Sequence, residues 1–400
     1  MPSRRNFIGS ITGGIAGSLT PAGRGAVSPA EPVRFGLVGA GERGLQLLRE
    51  ALAEEGECLA VADVYRARRE QAAHAAPGAR LFVDCRELLD FPGIEAVFIA
   101  TPQHLHATHA AAALAARKHV YVERTLALGV DQAKAVRAAR QASPECVVQT
   151  GHQWCSSGMA EDAVRFLEAG WVGRVTAIRA HDYRNAPHGR PPGRRPVYPD
   201  MDARGVAWDL FLGDAPPRPF DAERFANWRL YRDYSAGQVC DGLSQQLAFW
   251  YHVLGLEIPE AVTMRAGRYL WNDGRDLPDT MSVVMEHAAG LLVSWDGGCG
   301  NNHLGTAEFV LGADGTIQRG QQIRCFPQRV NRPGGREILG RTPTAPRGHA
   351  ANFFRAIRAG APANCPFETG YRVSVACAMA LESWKQDRTV RWDSERERIV

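Results

Sequence analysis

Four hundred residues, 45% hydrophobic and 22% charged, exclude a disordered or fibrous chain and exceed what one hydrophobic core usually organises, so a two-domain, enzyme-sized protein is expected. Forty-seven basic against 43 acidic residues leave a formal charge of +4, too even a balance for nucleic acid as the principal ligand. No apolar run approaches the roughly 18–20 residues of a membrane span, so no membrane anchor is expected. Nine cysteines without a CxxC pair outline neither a zinc ribbon nor a disulfide framework.

The chain opens with Ser3-Arg4-Arg5-Asn6-Phe7-Ile8 ahead of a Gly-rich, weakly apolar stretch from Gly9 to Leu19, the layout of a twin-arginine export signal. Residues 1–31 are read as signal peptide and linker, which predicts a periplasmic or extracellular destination. Arg24-Gly25-Ala26 is a poor A-x-A site before Val27, and a frayed basic tail is the alternative. Twin-arginine export carries folded proteins, so a cofactor can be loaded before the protein leaves the cytoplasm.

Val33 to Val38 is a short apolar strand, followed at once by Gly39-Ala40-Gly41-Glu42-Arg43-Gly44 and a helical run from Leu45 to Leu52. This is G-x-G-x-x-G between strand and helix: Gly39 allows the tight turn, Gly41 lets backbone approach a pyrophosphate, and Gly44 lets helix and strand pack closely. The helix N-terminus offers free N–H groups to the phosphates. A second strand, Cys58 to Ala62, ends at Asp63, placed to accept hydrogen bonds from the adenosine ribose. A carboxylate there repels a 2′-phosphate, so NAD is the expected cofactor and NADP the alternative. Arg66, Arg68 and Arg69, just beyond Asp63, are read as a solvated helix face, with a clamp for a 2′-phosphate as the alternative. Two further strands, Ala96 to Ala100 and His119 to Val122, run into Thr101-Pro102-Gln103-His104-Leu105-His106 and Glu123-Arg124-Thr125. Residues 32–150 are thus expected to form a dinucleotide-binding Rossmann domain with ligand-facing residues at its strand C-termini.

These motifs, with Gln149-Thr150-Gly151-His152-Gln153 at the crossover, Ala207-Trp208-Asp209 to Gly213, and Asn227-Trp228-Arg229-Leu230-Tyr231-Arg232-Asp233-Tyr234, resemble the Gfo/Idh/MocA oxidoreductase family. The resemblance covers nearly all of the chain after residue 32. It implies an NAD(P)-binding Rossmann domain and a second α/β domain that covers the nicotinamide and holds a sugar or polyol. It also implies that Glu42, Arg43, Thr101, Pro102, His104, His106, Glu123, Arg124, Gln153 and Trp208 join the glycines and Asp63 at the cofactor. His152, Tyr183, Arg229, Tyr231 and Tyr234 are placed on the substrate side.

In the second half, Val175–Ala180, Ala261–Ala266, Thr280–Glu286, Leu291–Trp295 and Ala307–Leu311 read as strands. Helices are expected at Ser157–Ala169, Ser244–Leu254, Gly348–Ala359 and Phe367–Gln386. The fold class is therefore α/β, a doubly wound parallel Rossmann sheet plus a domain at 151–400 with a large, mostly antiparallel open sheet. An open sheet face needs covering, which predicts a homodimer or homotetramer. Pro187 to Pro199, rich in Pro, Gly and Arg, is read as a lid, an arm or a plain surface loop.

The reacting centre departs from the family. Where the family has Glu-Lys-Pro this chain has Glu123-Arg124-Thr125, and a guanidinium keeps its proton at working pH. Gln245 stands where the family's base histidine is expected, and Ala248 where an aspartate commonly follows. Arg124, Asp241, Gln245 and His181 are the candidate catalytic residues, with His152, His181, Asp241 and Tyr183 as candidates for a replacement base. His104, His106 and His109 lie close in sequence, but their context favours the cofactor wall and no metal site is expected. Two function classes remain: an exported nicotinamide-dependent oxidoreductase acting on a sugar, polyol or glycoside, and a degenerate NAD- or sugar-binding member with a structural or regulatory role.

Overall fold

The computed structural model describes residues 31–186, 193–288, 290–328, 330, 334–342 and 348–400. The expected export signal lies outside the described residues, apart from residue 31, as do residues 187–192 of the Pro187–Pro199 stretch.

From Val33 strand and helix alternate: β1 Val33–Val38, α1 Glu42–Ala53, β2 Gly56–Ala62, α2 Arg66–Ala75, β3 Arg80–Phe82, α3 Cys85–Asp90, β4 Ala96–Ile99, α4 His106–Ala115, β5 His119–Glu123, α5 Val130–Ala142 and β6 Val148–Gly151. The strands are parallel in the order β3-β2-β1-β4-β5-β6. The order reverses between β1 and β4, where open α/β sheets bind their ligands. β4 and β5 are buried at every position, as strands covered on both faces must be, and so Ala96–Ile99 and Val120–Val122 read as apolar runs. α1 turns Leu45, Leu47, Leu48 and Ala51 inward, and each buried leucine contributes about 1.5–3 kcal/mol.

The second domain follows with α6 Gly158–Glu168, β7 Val175–Tyr183, the short helices α7 Trp208–Leu212 and α8 Ala222–Ala226, a π-helical turn at Val239–Leu243, and α9 Ser244–Leu254. The strands β8 Ala261–Gly267, β9 Thr280–His287, β10 Leu291–Gly298, β11 Thr306–Gly312, β12 Gly315–Arg319, β13 Ile323–Pro327 and β14 Ile338–Leu339 come next. They are followed by α10 His349–Ala359, α11 Phe367–Gln386, β15 Val390–Asp393 and β16 Arg398–Ile399. Its ten strands run β14-β13-β12-β11-β7-β10-β9-β8-β15-β16, with β7 and β10 parallel and the other neighbours antiparallel. β9 alternates exposed and buried residue by residue, so one face packs inward and the other is open.

Two C-terminal helices tie the halves together. α11 is buried along most of its length and touches β8, α9, α5 and β6. α10 sends Phe353 and Phe354 into the Rossmann core, 5.5 and 5.9 Å from the Phe98 ring. All nine cysteines but Cys85 are buried.

Candidate functional site

A groove of about 850 Å³ runs from the C-terminal ends of β1, β2 and β4 to the second domain. Its outer end is built by the glycine turn. Gly39 has a φ of 89°, and a Cβ there would stand 2.8 Å from the Ala100 carbonyl and the Thr101 amide. A Cβ on Gly44 would collide with the Gly39 carbonyl oxygen, whereas one on Gly41 would meet only the Arg68 guanidinium, 3.8 Å away. Gly39 and Gly44 thus close the turn while Gly41 faces the groove. α1 begins at this point with no side-chain cap, leaving its first amides for an anion. Asp63 is 6% exposed and lines the groove. It accepts from the Ala40 amide at 2.7 Å and the Tyr65 amide at 2.8 Å. A glycine cradle that a Cβ would fill, an uncapped helix and a fixed carboxylate fit NAD.

The arginines after Asp63 are not all a solvated face. Arg66 is exposed, but Arg69 donates to the Asp63 carbonyl at 2.6 Å. Arg68 lines the groove beside Gly41, 5.3 Å above the Phe225 ring.

Behind the groove, Glu123 organises the end of β5. Its carboxylate accepts from Arg43 Nε at 2.8 Å, Gln153 Nε2 at 2.8 Å and Arg124 Nη1 at 3.3 Å. Burial alone would push this carboxyl up, but Arg43 and Arg124 outweigh it and hold it below its usual range. Arg43 and Arg124 line the groove, and each keeps one buried N–H without a partner, at Nη2 and Nε respectively. Glu123 is therefore a positioning residue, and Gln153 opens with Arg124 onto a neighbouring cavity of about 500 Å³.

Several residues expected at cofactor or substrate serve packing instead. His106 is 1% exposed, its ring nitrogens 2.7 and 2.8 Å from the Thr125 and Thr101 carbonyl oxygens, so it ties the ends of β4 and β5 together. His104 sits between Phe211 and Tyr234, with Nε2 2.9 Å from the Phe211 carbonyl oxygen. Burial lowers its pKa to about 4. Trp208 stacks on Phe211 and donates to the Arg218 carbonyl at 2.8 Å. Tyr231 and Tyr234 belong to the same buried cluster. Thr101 and Pro102 do line the groove. Among the described residues, no three His, Cys, Asp or Glu side chains are grouped to hold a metal ion.

The replacement bases separate in the same way. His181 and Asp182 are neighbours on β7 and point to opposite faces of the sheet. His181 is on the outer face, 3.2 Å from the Leu304 carbonyl oxygen and packed on Tyr183, and neither lines the groove. His152 is fully buried beside Thr150 and Cys365. Gln245 is half-buried and also off the groove, its amide oxygen without a partner. Asp241 does line the groove. The π-helical turn presents it, a local geometry common at functional sites, with Gln103 Nε2 at 3.3 Å and Arg229 Nε at 3.7 Å. The sequence reading missed Arg184, Gln238, Arg275 and Cys299, which also line this end. Arg184 had one legible signal, the alternation of β7 that carries Ala180 and Asp182 inward.

A doubly wound sheet, its glycine turn and the groove beside them define a dinucleotide-binding α/β protein. Residues 33–152 match an oxidoreductase family with an NAD-binding Rossmann fold, GFO_IDH_MocA. A 1-carboxy-3-chloro-3,4-dihydroxycyclohexa-1,5-diene dehydrogenase of Comamonas testosteroni is 29% identical over 152 residues, 38% of each chain. The chain thus spans well under half the length of that curated relative. Levoglucosan dehydrogenase of Pseudarthrobacter phenanthrenivorans is 25% identical over 346 residues, covering 75% of this chain and 82% of the relative. A solved levoglucosan dehydrogenase in complex with NADH and levoglucosan shares the fold, with a TM-score of 0.69 at 20% identity over 90% of this chain and 99% of that one.

Proposed function

We propose that the chain is an exported NAD-dependent oxidoreductase that exchanges hydride with a sugar, polyol or glycoside and travels with its cofactor tightly held. One observation carries the reading. A single groove has the dinucleotide cradle at one end, and at the other Arg124, Arg229 and the one carboxylate that the described part of the second domain places in it, Asp241. Bound NAD supplies a hydride acceptor for a carbinol carbon. The chain's part is to hold the carbinol and take its proton: Asp241 accepts the hydroxyl proton as the C–H pair leaves and CHOH becomes C=O. Gln103 and Arg229 aim the carboxylate. Arg124 keeps its own proton and orients the oxygen. The sugar-directed relative supports the substrate class, the Arg4-Arg5 layout supports export, and the open outer face of the second sheet supports a homodimer or homotetramer.

The test starts with protein purified without added nucleotide and then denatured. Release of stoichiometric nicotinamide is expected, and a protein that neither carries nor binds NAD(H) or NADP(H) sinks the proposal. Asp241→Asn should then lower turnover by about 10²–10⁴-fold with dinucleotide binding intact. Replacing Arg4 and Arg5 by lysine should leave the protein in the cytoplasmic fraction. Gln245 and Ala248 favour a second reading, a dinucleotide- or sugar-binding protein without turnover. That reading expects bound nucleotide, no reduction by any sugar and no effect of Asp241→Asn.

A further inference from the structure

We infer that Arg68 is the residue that meets the diphosphate charge of the bound dinucleotide, held over Gly41 by the Phe225 ring of the second domain. The inference rests on the dinucleotide reading of the groove and assigns it a cofactor contact that lies outside the glycine motif.

Charge pairing singles Arg68 out. Arg43, Arg124, Arg184, Arg195, Arg229 and Arg275 line the groove, and each is paired with a carboxylate. Arg68 also lines it and is half-buried, yet among the described residues no carboxylate stands within ion-pair distance of its guanidinium. Arg49, the other groove arginine without such a partner, is exposed and lies well beyond the first turn of α1. The neighbours of Arg68 on α2 are engaged elsewhere: Arg66 has Glu70 at 3.7 Å, and Arg69 donates to the Asp63 carbonyl at 2.6 Å. The Asp63 carboxylate in turn gives its oxygens to the Ala40 and Tyr65 amides.

The place of Arg68 in its helix argues the same way. It stands in the first turn of α2, a turn with no acidic residue. A cation there opposes the helix dipole, so the helix gains nothing from it. Two rings fix its direction instead. Its Cζ lies 5.7 Å from the Tyr65 ring and 5.3 Å from the Phe225 ring, and these rings meet edge to face at 5.6 Å, within the reach of cation–π attraction. Tyr65 and Phe225 are 5% and 1% exposed, and the Tyr65 hydroxyl donates to Asp200 at 2.5 Å. The guanidinium is therefore set before a ligand arrives, which spares the cost of ordering it on binding.

Its target is the glycine turn. A Cβ on Gly41 would have Arg68 Cζ and Nη1 at 3.8 Å, and Arg68 supplies every atom within 4 Å of it. Gly41 is the position a dinucleotide site keeps bare so that backbone can approach the diphosphate. The uncapped amides of α1 offer that group dipoles; Arg68 adds a full charge in a planar fork that suits phosphate oxygens. A 2′-phosphate is the other anion a dinucleotide can bring, but Asp63 stands on the ribose side and repels it.

The test uses the full chain freed of bound nucleotide and titrated with NADH, ADP-ribose and NADPH. Arg68→Met should raise the Kd of NADH and of ADP-ribose about 10- to 100-fold, the range for hydrogen bonds to a charged group, and should flatten the salt dependence of both. The melting temperature of the nucleotide-free variant should stay at the parent's value, since no protein carboxylate loses a partner. Arg68→Lys keeps the charge and should restore part of the affinity. Phe225→Leu should raise the NADH Kd in the parent and add nothing in the Arg68→Met background; equal effects in both overturn the part given to Phe225. Unchanged NADH and ADP-ribose affinity in Arg68→Met overturns the inference, as does a loss confined to NADPH, which would move Arg68 to the 2′-phosphate. A lowered melting temperature with affinity intact makes Arg68 a structural residue and overturns it too. A parent protein that binds none of the three removes the dinucleotide reading instead.

Discussion

Glu123 shows how one residue sets the chemistry of two others. Its carboxylate takes hydrogen bonds from Arg43, Arg124 and Gln153, while position 151 takes only glycine, since a Cβ there would stand 2.7 Å from Glu123 Oε1 and 2.9 Å from its Cα. The arginines face the groove with directions fixed by a group that does not. Glu123→Gln removes the charge and leaves two cations competing for a neutral amide, and breaking a buried charged network of this kind costs about 3–5 kcal/mol. We expect weaker NAD(H) binding as well as a lower melting temperature. A fluorescence titration of NADH separates the two, because a purely structural role for Glu123 would lower stability and leave affinity in the folded protein unchanged. At this scale the sequence was legible where backbone sterics dictate the residue, as at Gly39, Gly41 and Gly44. It was not legible where an aromatic or histidine had a tertiary partner. His104, Trp208 and Tyr234 gave no local sign that they would pack on Phe211.

Elements announced themselves according to how local their causes are. α9 begins and ends where its apolar pattern and Gly255 in the left-handed region place it. β9 and β10 alternate cleanly, so their period of two is visible in the chain. β3, with three residues, and the outermost strands β14 and β16, with two each, went unrecognised, because short edge strands bury too little to leave a pattern. The same limit hid the side of β7 that matters: alternation says that His181 and Asp182 face opposite ways, but only the fold says which face meets the groove. α10 makes the converse point. Its helix was legible, but its destination was not, since Phe353 and Phe354 cross more than 250 residues of sequence to reach Phe98. A Cβ on Gly56 would stand 2.7 Å from the Phe354 ring, so the site is tightly filled. Phe354→Ala should therefore cost about 3–5 kcal/mol, and the loss should appear in the transition that unfolds the Rossmann half. NADH added in excess should recover part of it by binding the folded state, which a thermal scan with and without the nucleotide would show.

Across the whole molecule, buried histidines couple folding to pH. Burial holds His104, His109 and His287 at a pKa of about 4, against about 6.5 for a histidine in an unfolded chain. The folded state therefore keeps these rings neutral over a range in which the unfolded state protonates them. Their contribution is fully present above about pH 6.5 and is lost as pH falls toward 4, because the unfolded chain binds the extra protons. Each group adds about 1.4 kcal/mol per pH unit to the slope inside that window. The three sit in different places: His104 and His109 flank the groove end of β4, and His287 ends β9 against Tyr251. Acid should thus loosen both domains together. We expect denaturant stability to be flat from pH 8 to 7 and to fall steeply between 6.5 and 4. His287→Phe keeps the ring contact with Tyr251 but removes the titrating group, so its slope should be shallower by one proton's share. An unchanged slope in that variant would assign the acid sensitivity to other groups.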